Sequence, residues 1–142
     1  MVDAPHSGDG FRAACVQMRS GFNREKNIND ALALIAEAAS QGATFIATPE
    51  MTNVVDRKAS RLFENLPGED GLKEVDAFAE AARTHGVWLL AGSFAVKAEK
   101  TRAANRAFLF SPHGKIVARY DKLHMFDVDL PNGESWKESK IY

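Results

Sequence analysis

Apolar residues along the chain switch between two spacings, and the switches mark out its elements. Over residues 11–18, Ala14, Val16 and Met18 share one face of a strand and Ala13, Cys15 and Gln17 the other. Both faces are mostly apolar, which predicts a central strand covered on both sides. From residue 23 to 41 the spacing becomes helical, with Ile28, Ala31, Leu32, Ile35, Ala38 and Ala39 in one stripe. Asn23 or Asn27 can cap its start, and Gly42 fits a left-handed stop. Strand character returns in Thr44-Phe45-Ile46-Ala47-Thr48-Pro49-Glu50. Pro49 has no N–H, so ladder pairing should end there. Strand, helix and strand in this length predict a βαβ unit with parallel strands and a right-handed crossover.

Residues 51–71 lack a period, apart from one helical turn expected around residues 57–63, from Arg57 onward. Pro67-Gly68-Glu69-Asp70-Gly71 is a strong loop signal, placed to wall a pocket beside Glu50. A second helix is expected over residues 70–85, with Leu72, Val75, Phe78, Ala79 and Ala82 as its stripe and Gly86 as its stop. A third strand follows at residues 87–94. Strands at 103–111 and 115–121, joined by Pro112-His113-Gly114, should form an antiparallel hairpin. Residues 127–142 show no period, and residues 1–10 read as a disordered lead-in.

Composition narrows the function classes. A chain of 142 residues suits one domain. Lys and Arg number 18 against 19 Asp and Glu, so neither nucleic acid nor an anionic membrane is an expected partner. No apolar run reaches the ~18–20 residues of a membrane span, and the first ten residues lack the apolar core of a secretory signal. The single cysteine excludes an internal disulfide and points to the reducing cytoplasm.

The chemistry-bearing candidates are few. Glu50 is delivered at the carboxyl end of a strand, where open α/β sheets place ligands. Lys122 sits in Tyr120-Asp121-Lys122-Leu123-His124-Met125-Phe126 at another strand end. Such a lysine can be a fixed positive charge, or a base if its pKa falls. If both strand ends lie on the same edge of the sheet, the two side chains can meet. His124, Asp127 and Asp129 have the donor types for a divalent ion, although their spacing matches no metal motif. Glu134 and Glu138 are isolated acids in a polar tail, and either could be a second carboxylate. Cys15 reads as a buried, inert thiol. The sequence has no Gly-x-Ser-x-Gly elbow, phosphate loop or dinucleotide fingerprint.

Four stretches, in order, resemble the nitrilase superfamily, the carbon–nitrogen hydrolases. They are Ala13-Ala14-Cys15-Val16-Gln17-Met18 before a helix carrying Asn27 and Ile28; the strand from Ala43 ending in Pro49-Glu50; the strand containing Ala91-Gly92-Ser93; and the segment from Gly114 to Phe126 with its Tyr-x-Lys-x-His pattern. The likeness covers nearly the whole chain from residue 11. It implies an α/β fold of the α-β-β-α sandwich type and a Glu-Lys-Cys triad that hydrolyses non-peptide carbon–nitrogen bonds without metal or organic cofactor. By that resemblance Glu50 is the general base, Lys122 steadies the oxyanion, and Glu138 in Lys137-Glu138-Ser139 helps position substrate and lysine.

The family's nucleophilic cysteine comes later than the position matched by Glu138, and family members are longer than this chain. The resemblance therefore implies that residues 11–142 are the N-terminal half of such a domain, ending before the nucleophile and inactive alone. Nitrilases proper carry Lys-x-x-Pro-Thr after the lysine. Lys122-Leu123-His124-Met125-Phe126 looks instead like the branch of omega-amidases and deaminated-glutathione amidases. Small-molecule amides are the expected substrates, with N-carbamoyl compounds and nitriles behind them, and the full-length protein is expected to be a homo-oligomer. A non-catalytic binding or assembly module and an acyl-transferring member of the superfamily are the alternatives. The helices should cover one face of the sheet, and the other should be apolar enough that the isolated chain aggregates or self-associates.

Overall fold

A computed structural model describes residues 10–56 and 58–142. Residues 1–9 of the expected lead-in and Arg57, the first residue of the expected turn, lie outside the described residues. The elements are β1 (Ala13–Cys15), α1 (Arg24–Ser40), β2 (Phe45–Ala47), α2 (Ala59–Asn65), α3 (Lys73–His85), β3 (Trp88–Glu99), β4 (Arg102–Phe110), β5 (Ile116–Asp121), β6 (Asp127–Asp129) and β7 (Ser135–Lys137). Single 3-10 turns cover Glu69–Gly71 and Glu138–Lys140.

Five strands form one sheet in the order β1-β2-β3-β4-β5. The first three are parallel, joined by helical crossovers, and β3, β4 and β5 run antiparallel as successive hairpins. The sequence dictates the helix limits locally. The Asn23 side chain accepts the Lys26 N–H at 3.0 Å, capping α1. Gly42 and Gly86 end α1 and α3 at φ 83° and 64°, a backbone region that side-chain-bearing residues avoid. A bidentate Arg24–Glu74 pair at 2.6 and 2.8 Å ties the start of α1 to α3.

The core lies between these helices and one sheet face. Ile28, Ala31 and Ile35 of α1 and Phe78 and Ala82 of α3 pack on Ile46, Leu89, Phe94, Phe108 and Phe110. Phe78 meets Phe94 edge to face with centroids 5.0 Å apart. Burying each such ring contributes about 1.5–3 kcal/mol. β3 breaks register between Ala91 and Phe94. Before this bulge Leu89 and Ala91 face the helices; after it Phe94 and Val96 do. The bulge absorbs Gly92 and Ser93 and turns Ala95 to the opposite face, where Val54, Leu62, Leu66, Ala95 and Ala103 form a second cluster.

That cluster covers only one end of the opposite face. The rest carries the register row Cys15, Ala47, Leu90, Leu109 and Ala118. Near the row, Trp88 and Tyr120 are 41% and 59% exposed. The chain is thus an α layer on a β layer, an α/β fold forming half of an α-β-β-α sandwich. Among the described residues no helix is long and apolar enough to cross a membrane.

Several elements differ from the sequence reading. β1 is a three-residue edge strand, not a central one, because it has one neighbour and its outer face is uncovered; Ala13 and Cys15 are exposed. Residues 70 and 71 belong to a 3-10 turn, so α3 starts only at Lys73. β3 continues through Glu99, because β4 pairs with its whole length beyond the bulge. In the aperiodic tail, β6 and β7 form a hairpin whose three-residue strands are too short to give a period.

Candidate active site

Glu50 projects from an elbow that main-chain contacts hold rigid. Pairing of β2 ends at Ala47, and Thr48 N–H still donates to Leu90 O at 2.9 Å. Met51 then takes φ 55°, a left-handed conformation that costs a non-glycine residue about 1–2 kcal/mol. The surroundings hold it there. Met51 N–H donates to Ser93 Oγ at 2.9 Å, and Thr52 N–H to Ser93 O at 2.9 Å. Thr52 Oγ1 donates to Pro49 O at 2.6 Å. Fully buried Asn53 exchanges hydrogen bonds with the main chain of Ala95, at 3.0 and 2.8 Å. Asn27, one of the two capping candidates, is instead buried in this assembly, donating to Asn53 O at 2.9 Å and Gly21 O at 2.7 Å. The elbow lies directly on the β3 bulge. A Cβ on Gly92 would sit 2.2 Å from Thr48 O, so only glycine permits the approach.

Lys122 follows β5, and its N–H donates to Asn105 O of β4 at 2.9 Å. Its Nζ lies 2.9 Å from Glu50 Oε1 and 3.0 and 2.9 Å from the two oxygens of Glu138. Glu138 reaches the site from the 3-10 turn after β7, and its carboxylate also accepts the Phe126 N–H. The structure therefore brings Glu50, Lys122 and Glu138 to one point on the face away from the helices. Their side chains are 56%, 30% and 17% exposed, so the ammonium and the second glutamate are the more enclosed partners.

This geometry sets the charges. The Lys122 hydrogen bond lowers the Glu50 pKa, burial opposes it, and Asn105 adds to the lowering, so Glu50 is a carboxylate at neutral pH. Burial works to lower Lys122, but the hydrogen bonds it donates to Glu138 and Glu50 outweigh it and raise its pKa. Lys122 is a fixed cation here, not a base. Burial, and then the charges of Glu138 and Glu50, push the Tyr142 phenol upward. A shallow pocket of about 290 Å³ opens over the site, lined by Glu50, Gly92, Ser93, Asn105, Ala107, Tyr120 and Lys122. A larger groove of about 660 Å³ between α1 and α3 is lined by the paired Arg24 and Glu74 and lies away from these groups.

The other candidates fall elsewhere. Cys15 is exposed, correcting its reading as buried, but it lines a separate hollow with Arg12 and Gln41 and not the pocket over Glu50 and Lys122. Asp127 accepts from Ser139 N–H and Oγ, and Asp129 pairs with Lys137 at 2.8 Å. Among the described residues no three His, Cys, Asp or Glu side chains converge as a metal site. Glu134 stays outside the pocket lining, in the β6–β7 turn. Asn105 is the residue that sequence reasoning missed: its Nδ2 donates to Glu50 Oε1 at 2.7 Å. The available signal was a lone polar side chain on the otherwise apolar face Ala103, Asn105, Ala107, Leu109.

Among curated relatives, the chain is 33% identical over 131 residues to "Nitrilase homolog 2" of Dictyostelium discoideum, covering 92% of this chain and 39% of that protein. It is 31% identical over 134 residues to human "Omega-amidase NIT2", covering 92% and 46%. It is 33% identical to the "Deaminated glutathione amidase" of Synechocystis, covering 91% and 47%. The chain thus spans about half the length of these relatives, or less. Among solved structures, the C. elegans NitFhit protein aligns with a TM-score of 0.76 at 24% identity, over 90% of this chain and 31% of its own. An amidase from Nesterenkonia aligns at 0.74 and 21%, over 93% and 47%. At those identities the structures speak to the fold alone. The carbon–nitrogen hydrolase family pattern matches residues 12–142, and with so nearly complete a match this chain belongs to that family.

Proposed function

We propose that this chain carries the base and cation half of an amide-hydrolysing site that opens small carbon–nitrogen substrates through a thiol. The observation that carries the reading is the single ammonium of Lys122 held between two carboxylates, within 3.0 Å of each. Glu50 serves as general base, worth typically 10²–10⁴-fold. Lys122 stabilises the charge that builds on the carbonyl oxygen, and losing such a donor costs about 10²–10³-fold. Glu138 keeps the lysine charged and aimed. The nucleophilic thiol comes from outside these residues, since Cys15 is not among the residues lining the pocket over Glu50 and Lys122. Amides rank above nitriles and N-carbamoyl compounds, in keeping with the relatives named for amidase activity.

The test is ammonia release from small ω-amides by protein expressed from the coding sequence together with whatever follows the Tyr142 codon. The expected result is amide turnover that Glu50→Gln and Lys122→Met each abolish, with no turnover by residues 1–142 alone. Turnover that survives either substitution would sink the proposal. A second reading, an assembly module, is favoured by the uncovered row from Cys15 to Ala118. It predicts a discrete complex of this chain with no amidase activity in any longer form.

A further inference from the structure

Two donors meet on one oxygen of the proposed base. Asn105 Nδ2 lies 2.7 Å from Glu50 Oε1, and Lys122 Nζ lies 2.9 Å from the same atom. Among the described residues no hydrogen bond reaches Oε2. Asn105 is 3% exposed, and its own carbonyl accepts the Lys122 N–H at 2.9 Å. One buried residue thus holds the carboxylate by its side chain and the lysine by its main chain.

The residue type matters. A primary amide donates through N–H groups that do not titrate in the working range, so its grip on Oε1 persists whether Glu50 is charged or neutral. An aspartate in its place would set a second acceptor against the carboxylate. An oxygen that already accepts two hydrogen bonds, one from a cation, is the poorer proton acceptor, because an incoming proton must displace a donor. Among the described residues its twin has no such competitor.

Resting on the proposed function, we infer that Asn105 is a positioning residue which, with Lys122, occupies Oε1 and so makes Oε2 the proton-carrying atom of Glu50. Oε2 takes the thiol proton as the S–C bond forms. It gives that proton to nitrogen as the C–N bond breaks and ammonia leaves. It then takes a proton from the water that attacks the thioester, and returns it to sulfur as the C–S bond breaks. The site ends as it began, with one amide and one water converted to one acid and one ammonia.

The test is a titration of this chain with ¹³C-labelled glutamate carboxyls, the Glu50 signal being identified by its loss in Glu50→Gln. In the wild type the Asn105 side-chain amide should shift with the same midpoint as Glu50. Asn105→Leu, with the same branched skeleton but no donors, should move the Glu50 midpoint to higher pH. Asn105→Asp should move it further, because two carboxyls then share the space. An Asn105 amide that holds still through the Glu50 titration overturns the inference. So does an unchanged Glu50 midpoint in a folded Asn105→Leu chain. If both variants fail to fold, the wild-type amide titration decides. These readouts need no turnover, so a protein that failed to hydrolyse amides would remove the proposed reaction and leave the Asn105–Glu50 link standing.

Discussion

On the helix side of the sheet, Phe78, Phe94, Phe108 and Phe110 are fully buried and touch one another ring to ring. On the other side, the same strands leave Leu90 and Leu109 half-buried and Tyr120 exposed, and gather two carboxylates, an ammonium and a buried amide within hydrogen-bond reach. β3 serves both sides, because its bulge lets Phe94 stay in the core while Gly92 and Ser93 support the elbow of Glu50. Stability is concentrated on one side and polar organisation on the other. Substitutions should therefore separate into those that unfold the chain and those that disable the site.

The largest expected effect is on the covered side. Phe78→Ala removes a ring with no exposed surface, and should lower unfolding free energy by about 3–5 kcal/mol in a urea titration. Gly92→Ala, at the seam between the two sides, should cost about 1–3 kcal/mol, because its Cβ must push back Thr48 and Pro49. It should also loosen Glu50, which appears as a changed Glu50 carboxyl titration in the same preparation. Light scattering should find the wild-type chain larger than a monomer. Leu90→Ser paired with Leu109→Ser should return it toward monomer while costing far less stability than Phe78→Ala. Equal costs on both sides would erase the contrast.

The smallest effect is electrostatic. The Glu50 pKa is lowered by Lys122, so this contact stabilises the fold above the unfolded-state value and is lost as pH falls through the folded one. Lys122 is raised, so its share is present below its unfolded value and is lost as pH rises through the folded one. Lys122→Met should thus cost about 1 kcal/mol or less near neutrality, and less still once Glu50 is protonated in acid. A thermal-melt series against pH reads both limbs.

The covered side was legible in sequence because one amphipathic pattern decides it. The stripe from Ile28 to Ile35 and the positions Phe78 and Ala82 pack as their spacing predicts. The uncovered side was less legible. Apolar residues on both faces of the first strand suggested two covers, but β1 has a single neighbour and one bare face. The left-handed Met51 leaves no trace in composition, since contacts from Ser93, 42 residues away, hold it. Glu138 looked isolated because its partners Lys122 and Phe126 lie beyond a hairpin of three-residue strands. Asn105 was visible only as an interruption, and its meaning depended on a residue 55 positions away.

The exchange between Asn53 and Ala95 makes the segment after Glu50 behave like one further rung of the sheet. Acid, amide and ammonium are therefore each tied by hydrogen bonds to the paired strands β3 and β4. Whatever breathing the molecule undergoes should carry the three as a unit, so their spacing is preset before any substrate arrives. Under the proposed function, the moving part must then be what approaches these three groups from the open side.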